Sequence, residues 1–201
     1  KRWQQMAESY QERQGAREAM VFLQSYGVPA NMALRISKLY GDRTPDVIRQ
    51  NPYRLVDDVE GVGFVTADRL DSSLGIAADS EFRLQAALKY LLMDAASGAG
   101  HVYLPQGLLT SKCAALLRVD EGLVTRQLQT LMLHRDVIAG GTEEEPTVYL
   151  PSYFLAEKEV AQRLMELVAA LTPDRYAGAD REIDRFEAGH HISFSPKQRG
   201  A

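Results

Sequence analysis

Asn51-Pro52-Tyr53-Arg54-Leu55-Val56-Asp57-Asp58-Val59-Glu60-Gly61-Val62-Gly63-Phe64-Val65-Thr66-Ala67-Asp68-Arg69-Leu70 carries the strongest fold signal in the chain. Asn51-Pro52 restarts the backbone, and a short helix is predicted over about Pro52–Val56. Val59-Glu60-Gly61-Val62-Gly63 then reads as a tight hairpin, where glycine permits positive φ or close backbone approach. A second helix starts at Phe64 and ends near Gly75. Leu55 and Val59 before the turn, Val62 inside it, and Ala67 and Leu70 after it supply the apolar frame of a helix-hairpin-helix. Val62 is expected to pack back between the helices, and Ala67 to permit their close crossing.

Such a hairpin has a chemical consequence. The amides of Gly63, Phe64 and Val65 would stand at a helix N-terminus with no intrahelical acceptor. Bare amides and the positive end of the helix dipole together attract an anion. A DNA phosphate fits, because the two glycines let a sugar-phosphate backbone come close. Gly61, Val62, Gly63, Phe64, Val65 and Thr66 are therefore the expected DNA-binding residues, with the Thr66 hydroxyl as an extra donor. Contacts of this kind position a protein on DNA without reading sequence. Asp57, Asp58 and Glu60 flank the turn and oppose an anion.

Upstream, the layout recurs. Residues 1–25 read as a helix with Ala16, Ala19, Met20, Phe22 and Leu23 on one stripe. Tyr26-Gly27-Val28-Pro29 breaks it, Gly27 suiting a left-handed cap. A helix follows from about Ala30 to Tyr40, with Met32, Ile36 and Leu39 on its apolar face. Thr44-Pro45-Asp46 opens the next helix, Thr44 as N-cap and Pro45 at the first helical position. The segments from Arg17 to Gly41 and from Thr44 to Ile76 form a degenerate tandem repeat. The first hairpin has one glycine and loses a donor at Pro29, so Gly27 and Asn31 are weaker DNA-binding candidates.

Downstream, a helix over 79–97, capped by Asp79 or Ser80, carries Leu84, Leu88 and Leu91. Ser97-Gly98-Ala99-Gly100 is a flexible break. Beyond it the pattern changes to a strand at His101–Pro105 and a helix at Gln106–Leu117 with Leu109, Cys113, Leu116 and Leu117 on one side. A helix capped by Asp120 follows, with Val124, Leu128, Leu131 and Met132 inward. Strands at Asp136–Ala139 and Thr147–Pro151 end the unit, with Gly140-Gly141-Thr142 and Glu143-Glu144-Glu145 at the tip between them. Strand, helix, helix, hairpin is the order of a winged helix. Ser152 is expected to cap a further helix to about Leu171, with Val160, Leu164, Leu167 and Val168 as its stripe, stopped by Thr172-Pro173-Asp174. The expected fold is mainly α: a tandem helix-hairpin-helix bundle followed by a small winged-helix-like α+β subdomain. Its expected divisions are 1–97, 98–171 and a linker at 172–201.

Composition narrows the function. The 201 residues are 45% hydrophobic and 25% charged, as in a globular protein, and suffice for one or two small cores. No apolar run approaches a membrane span, and Lys1–Gln5 lacks the apolar core of a signal peptide. One cysteine, Cys113, builds neither a disulfide nor a zinc site and reads as a core residue; a cytoplasmic setting fits. The net charge of −4 leaves no broad electrostatic footprint for DNA. Contact should rest on a few oriented amides. His190-His191 read as solvated, and the pairs Glu157/Glu159 and Asp180/Glu182 as helix-surface charge. No catalytic constellation and no metal site emerge.

Several stretches resemble one family. Phe22–Val28, Arg35-Ile36, Leu39-Tyr40-Gly41, Asn51–Leu55, Gly61–Phe64, Ala67-Asp68, His101–Pro105 and Val148–Pro151 occur in the order seen in the N-terminal, pre-motor region of the long-form RecD-like DNA helicases. Phe194-Ser195-Pro196-Lys197-Gln198 is similar to the segment before that family's motor, which implies an adenine-contacting role for Gln198 in the parent. No G-x-x-x-x-G-K-[ST] loop occurs in this sequence, so the chain alone is expected to hydrolyse nothing and to need no cofactor. The resemblance implies a parent that uses ATP and Mg²⁺ to move 5′ to 3′ on single-stranded DNA in repair or recombination. Its implied partners are DNA, single-stranded or at a junction, and the motor domains in cis. Two rival readings are a protein-protein docking module and a sequence-reading winged-helix regulator. The second would use Arg126, Gln127, Gln129 and Thr130, against which the acidic tip counts.

Overall fold

The computed structural model describes residues 2–170 and 178–199, without the side chains of residues 2 and 4–13. Helices α1 (Arg2–Ser25) and α2 (Ala30–Tyr40) enclose the first hairpin, and a 3-10 turn (Gly41–Arg43) leads into α3 (Thr44–Gln50). Helices α4 (Arg54–Asp58) and α5 (Phe64–Leu74) enclose the second hairpin, followed by the long α6 (Glu81–Ala99). Then come β1 (Tyr103–Pro105), α7 (Gln106–Leu117), α8 (Glu121–His134), β2 (Ile138–Gly141), β3 (Pro146–Tyr149), α9 (Pro151–Ala170), α10 (Ala179–His190) and α11 (Pro196–Arg199). The fold is mainly α with a small α+β part, as expected.

The α+β part is a three-stranded antiparallel sheet in the order β1-β3-β2. Leu104 pairs with Val148 and Ala139 with the same Val148 on the other side. Strand β2 runs through Gly140 and Gly141, so these residues belong to the strand and not to the tip. The turn is Thr142–Glu145, closed by the Glu145 amide donating to Thr142 Oγ1 at 3.1 Å. Asp120 caps α8 as expected, accepting from the Gly122 amide at 2.9 Å.

Two hydrophobic cores organise residues 1–154. The first joins Leu23, Ile36, Ile48, Leu55, Val59, Val62 and Leu70, uniting both hairpins. The second starts at Tyr53, Phe64 and Ala67, takes in Leu84 and Leu88 of α6, and continues through Leu109, Leu128 and Val148. It crosses the Ser97–Gly100 stretch without interruption, because α6 runs on to Ala99. Helix α5 therefore stands between the two cores and contributes to both.

Four local expectations change. Thr44 is not an N-cap: it is the first residue of α3, fully buried, and its hydroxyl donates to Gly41 O at 2.7 Å. The 3-10 turn feeds α3 directly and leaves no extended residue to act as a cap. In α2 the buried face is Ala33, Ile36 and Ser37, while Leu39 is exposed. Ser37 tolerates burial by donating to Leu34 O. On α7, Leu116 faces outward. Helix α9 begins at Pro151, so Ser152 lies inside it.

A second compact unit begins at Leu155. There Val160, Leu164, Leu167 and Val168 are exposed, so the expected stripe of α9 covers no core. Helix α10, missed in the sequence, stacks Phe186 on His190 with ring centroids 4.1 Å apart. The expected stop at Thr172-Pro173-Asp174 lies outside the described residues. Among the described residues no helix is long and apolar enough to cross a membrane. Cys113 lies in the second core, where burial pushes its thiol up to about 12.

One buried group works against the fold. Asp71 on α5 is 2% exposed and its Oδ1 has no hydrogen-bond partner. Burial raises its carboxyl above the ordinary range, with Tyr53 opposing the shift. A carboxyl held high in the native state favours folding most when it is protonated, and that contribution is lost as pH rises through the native value. Asp71→Asn should therefore raise unfolding free energy by about 1 kcal/mol at neutral pH. The gain should shrink as pH falls into the carboxylate range, as read by urea denaturation at several pH values.

Candidate nucleic-acid interface

The second hairpin is shaped by what its side chains bury. Val59 and Val62 are each 5% exposed and belong to the first core, while Phe64 belongs to the second. Burying a ring of that size contributes on the order of 2 kcal/mol, so the turn is held from both flanks. Gly61 and Gly63 are left outermost, both exposed. Gly61 adopts φ +84°, the left-handed conformation a side chain resists. Gly63 differs from expectation. It is extended, at φ −99° and ψ 171°, and a Cβ there would meet nothing within 4 Å. The space over it is open, and the backbone there does not require glycine.

The amides behave as the sequence implied. The Val62 amide closes the turn onto Val59 O at 3.1 Å. Thr66 and Ala67 donate to Gly63 O at 3.0 and 3.2 Å, the first bonds of α5. The amides of Gly63, Phe64 and Val65 have no acceptor among the described residues. Gly63 and Val65 are exposed and Thr66 is half-buried.

Two of the three acids around the turn are paired. Lys89 of α6 sits 3.2 Å from Asp57. Arg54 lies 3.8 Å from Asp58, and the Tyr40 hydroxyl donates to the same carboxylate. Burial and that bond together raise the Tyr40 hydroxyl well above its usual range. Arg35 of α2 reaches across to donate to Glu60 O at the turn itself. The sequence reading missed Arg35; only the packing of the first hairpin on the second brings it here. A guanidinium with further N–H donors thus stands beside the amides and offsets the neighbouring carboxylates.

Helix α5 is tied to α6 by a half-buried triad. Arg83 donates to Asp68 through Nε at 2.7 Å and Nη2 at 3.3 Å, and the Tyr53 hydroxyl donates to Asp68 at 2.7 Å. Burial would raise the Asp68 carboxyl, but these two donors outweigh it and hold it below its usual value.

The first hairpin offers less. The Gly27 amide is spent on Gln24 O and the Val28 amide on Leu23 O. Asn31 Oδ1 accepts from the Met32 amide at 2.8 Å, so a side chain occupies part of the helix start. On α8, Arg126 and Gln129 are exposed, but Gln127 is engaged by Gln85 at 2.8 Å and the Thr130 hydroxyl by Arg126 O. Gln198 accepts from the Ser195 amide at 2.9 Å while its own amide faces Ser195 Oγ at 3.4 Å, a reciprocal helix cap.

Residues 12–103 match the family model of the ATP-dependent RecD2 DNA helicase helix-hairpin-helix domain. Over 189 residues the chain is 30% identical to the ATP-dependent RecD2 DNA helicase of Deinococcus radiodurans. The alignment covers 90% of this chain and 26% of that protein, so the chain spans about a quarter of its relative's length.

The two hairpin glycines should respond differently to a side chain. Gly61→Ala forces a left-handed alanine and should cost about 1–2 kcal/mol. Gly63→Ala should stay within about 0.5 kcal/mol, as for other open surface sites. By amide exchange, Gly63, Phe64 and Val65 should lose protons roughly tenfold or more faster than Ala67. Equal protection across these four would mean that the first three amides are covered.

Proposed function

We propose that this chain, whose residues 12–103 match the family model of the RecD2 helicase helix-hairpin-helix domain, is an accessory DNA-binding region of an ATP-dependent 5′–3′ DNA helicase acting in repair or recombination. The carrying observation is the row of three acceptor-free amides at the start of α5, under two exposed glycines. A phosphate resting there would gain charge-assisted hydrogen bonds and the helix dipole. Arg35 beside the turn strengthens the same attraction. Nothing in this arrangement reads a base edge, so the grip is indifferent to sequence. Its place in the parent is at a junction or along the strand that feeds the motor domains in cis.

ATP and Mg²⁺ belong, in this reading, to the parent's motor. Of the expected nucleotide contacts the chain supplies Gln198, whose side-chain oxygen is committed to Ser195. Holding adenine with both ends of that amide requires the cap to open. A cytoplasmic setting follows from a parent that works on chromosomal DNA. The rival docking reading draws on one observation, the exposed apolar stripe of α9.

Titration of labelled single-stranded, duplex and forked DNA separates the two. The proposed grip gives weak binding that is indifferent to sequence and falls steeply with salt. Gly63→Glu places a carboxylate over the amides without a steric clash and should weaken binding by about tenfold or more at low salt while the thermal transition is retained. Unchanged affinity in the folded variant would remove the hairpin from the mechanism. No binding at any salt would favour docking.

A further inference from the structure

The proposed grip leaves unused a cavity of about 390 Å³ on the same unit, between the segment entering α4 and the outer face of α6. Its walls are aromatic. Tyr53 and Tyr90 line it, and both stack on Phe64, with centroids at 5.8 and 5.0 Å and planes within 22° and 18° of parallel. Phe82 and Met93 extend the apolar surface. Phe64 contributes one of the three bare amides through its backbone and holds both cavity tyrosines through its ring. The cavity is thus one side chain away from the phosphate grip.

The polar lining is half committed. Asn51 Oδ1 accepts from the Tyr53 amide at 3.0 Å, and its NH₂ has no partner among the described residues. Gln85 Nε2 donates to Gln127 at 2.8 Å, and its oxygen has none. One free donor and one free acceptor therefore line the cleft beside its aromatic rings, together with Asp57, paired with Lys89, and Arg54, paired with Asp58. An apolar protein side chain would fill the cleft but strand both polar groups, a costly outcome. A nucleobase has a π-face for the rings and an edge for the amides.

We propose that this cleft receives an unstacked nucleobase from the strand whose backbone rests on the second hairpin. The inference builds on the grip proposed above. It converts a pure backbone contact into one that prefers single-stranded DNA, because only an unpaired base can leave its stack to enter.

The test compares a short single strand with an abasic strand of the same length and charge, both titrated by fluorescence anisotropy. The base-bearing strand should bind about tenfold tighter, the size of one base–aromatic contact. Ala86 lines the cleft and is half-exposed, so Ala86→Trp should fill it, erase that difference and leave abasic binding unchanged. Gln85→Met, which removes the edge acceptor, should narrow the difference and serves if the tryptophan variant does not fold. Gly63→Glu should weaken both strands alike. Equal binding of the two strands by the unsubstituted chain would overturn the inference and leave the backbone grip standing. A base preference that survives Ala86→Trp would overturn it too. So would a free deoxynucleoside monophosphate that competes as well as the strand, since the cleft would then serve a nucleotide. If bases matter but Gly63→Glu has no effect, the hairpin grip fails and the cleft remains.

Discussion

The constraint on which the rest depends is that one five-residue turn is pulled from both sides. Val59 and Val62 are drawn into the core shared by the two hairpins, and Phe64 into the core shared with α6 and the sheet. Neither core can be satisfied without the other, so the turn has little freedom to rotate. What remains exposed is Gly61 and Gly63, and the amides of Gly63, Phe64 and Val65 have no acceptor among the described residues. The proposed anion site would thus rest on backbone left over by apolar burial, with no cationic side chain in the turn itself.

Electrostatics then becomes a local problem. The chain is acidic overall, at −4, and carries three acids at the turn. Two of the acids have a partner, Lys89 of α6 at Asp57, and Arg54 of the same helix together with Tyr40 of α2 at Asp58, while Arg35 of α2 meets the Glu60 backbone carbonyl. Such local pairing of solvent-exposed groups contributes about 0–1 kcal/mol per pair and offsets each carboxylate in part. It is not enough to create the long-range field that strongly basic DNA-binding domains use. The proposed grip would therefore act on DNA already brought close, and the chain aligns with about a quarter of its relative's length.

The two hairpins show how a repeat diverges. Both keep the apolar frame, and they share one core. In the first, Pro29 deletes a donor and Asn31 Oδ1 takes the Met32 amide, so its helix start is partly satisfied from within. Its useful product is Arg35, carried on α2 and placed against the other hairpin. The second hairpin thus carries the acceptor-free amides, and the first supplies a cation at the Glu60 carbonyl of its turn.

Much of this was legible in the residues. Periodicity located α1, α2, α5, α7 and α8, because each has a one-sided stripe bounded by glycine, proline or a capping aspartate. Gly61-Val62-Gly63 located the turn, and the rule that a helix leaves its first amides unpaired located the bare donors. The sequence could not reveal Arg35 at Glu60, the Tyr53–Asp68–Arg83 triad or the cleft walled by Tyr53 and Tyr90. These join residues 15 to 37 positions apart through packing angles that no local pattern encodes. It also misjudged Leu39, Leu116 and the stripe of α9. An apolar stripe declares that a face can be buried, but burial needs a second surface. Local chemistry determined where this chain turns and which amides go unpaired. Only the meeting of two cores decided that Gly61 and Gly63 stay exposed beside them, with Arg35 at the turn and a cleft behind Phe64.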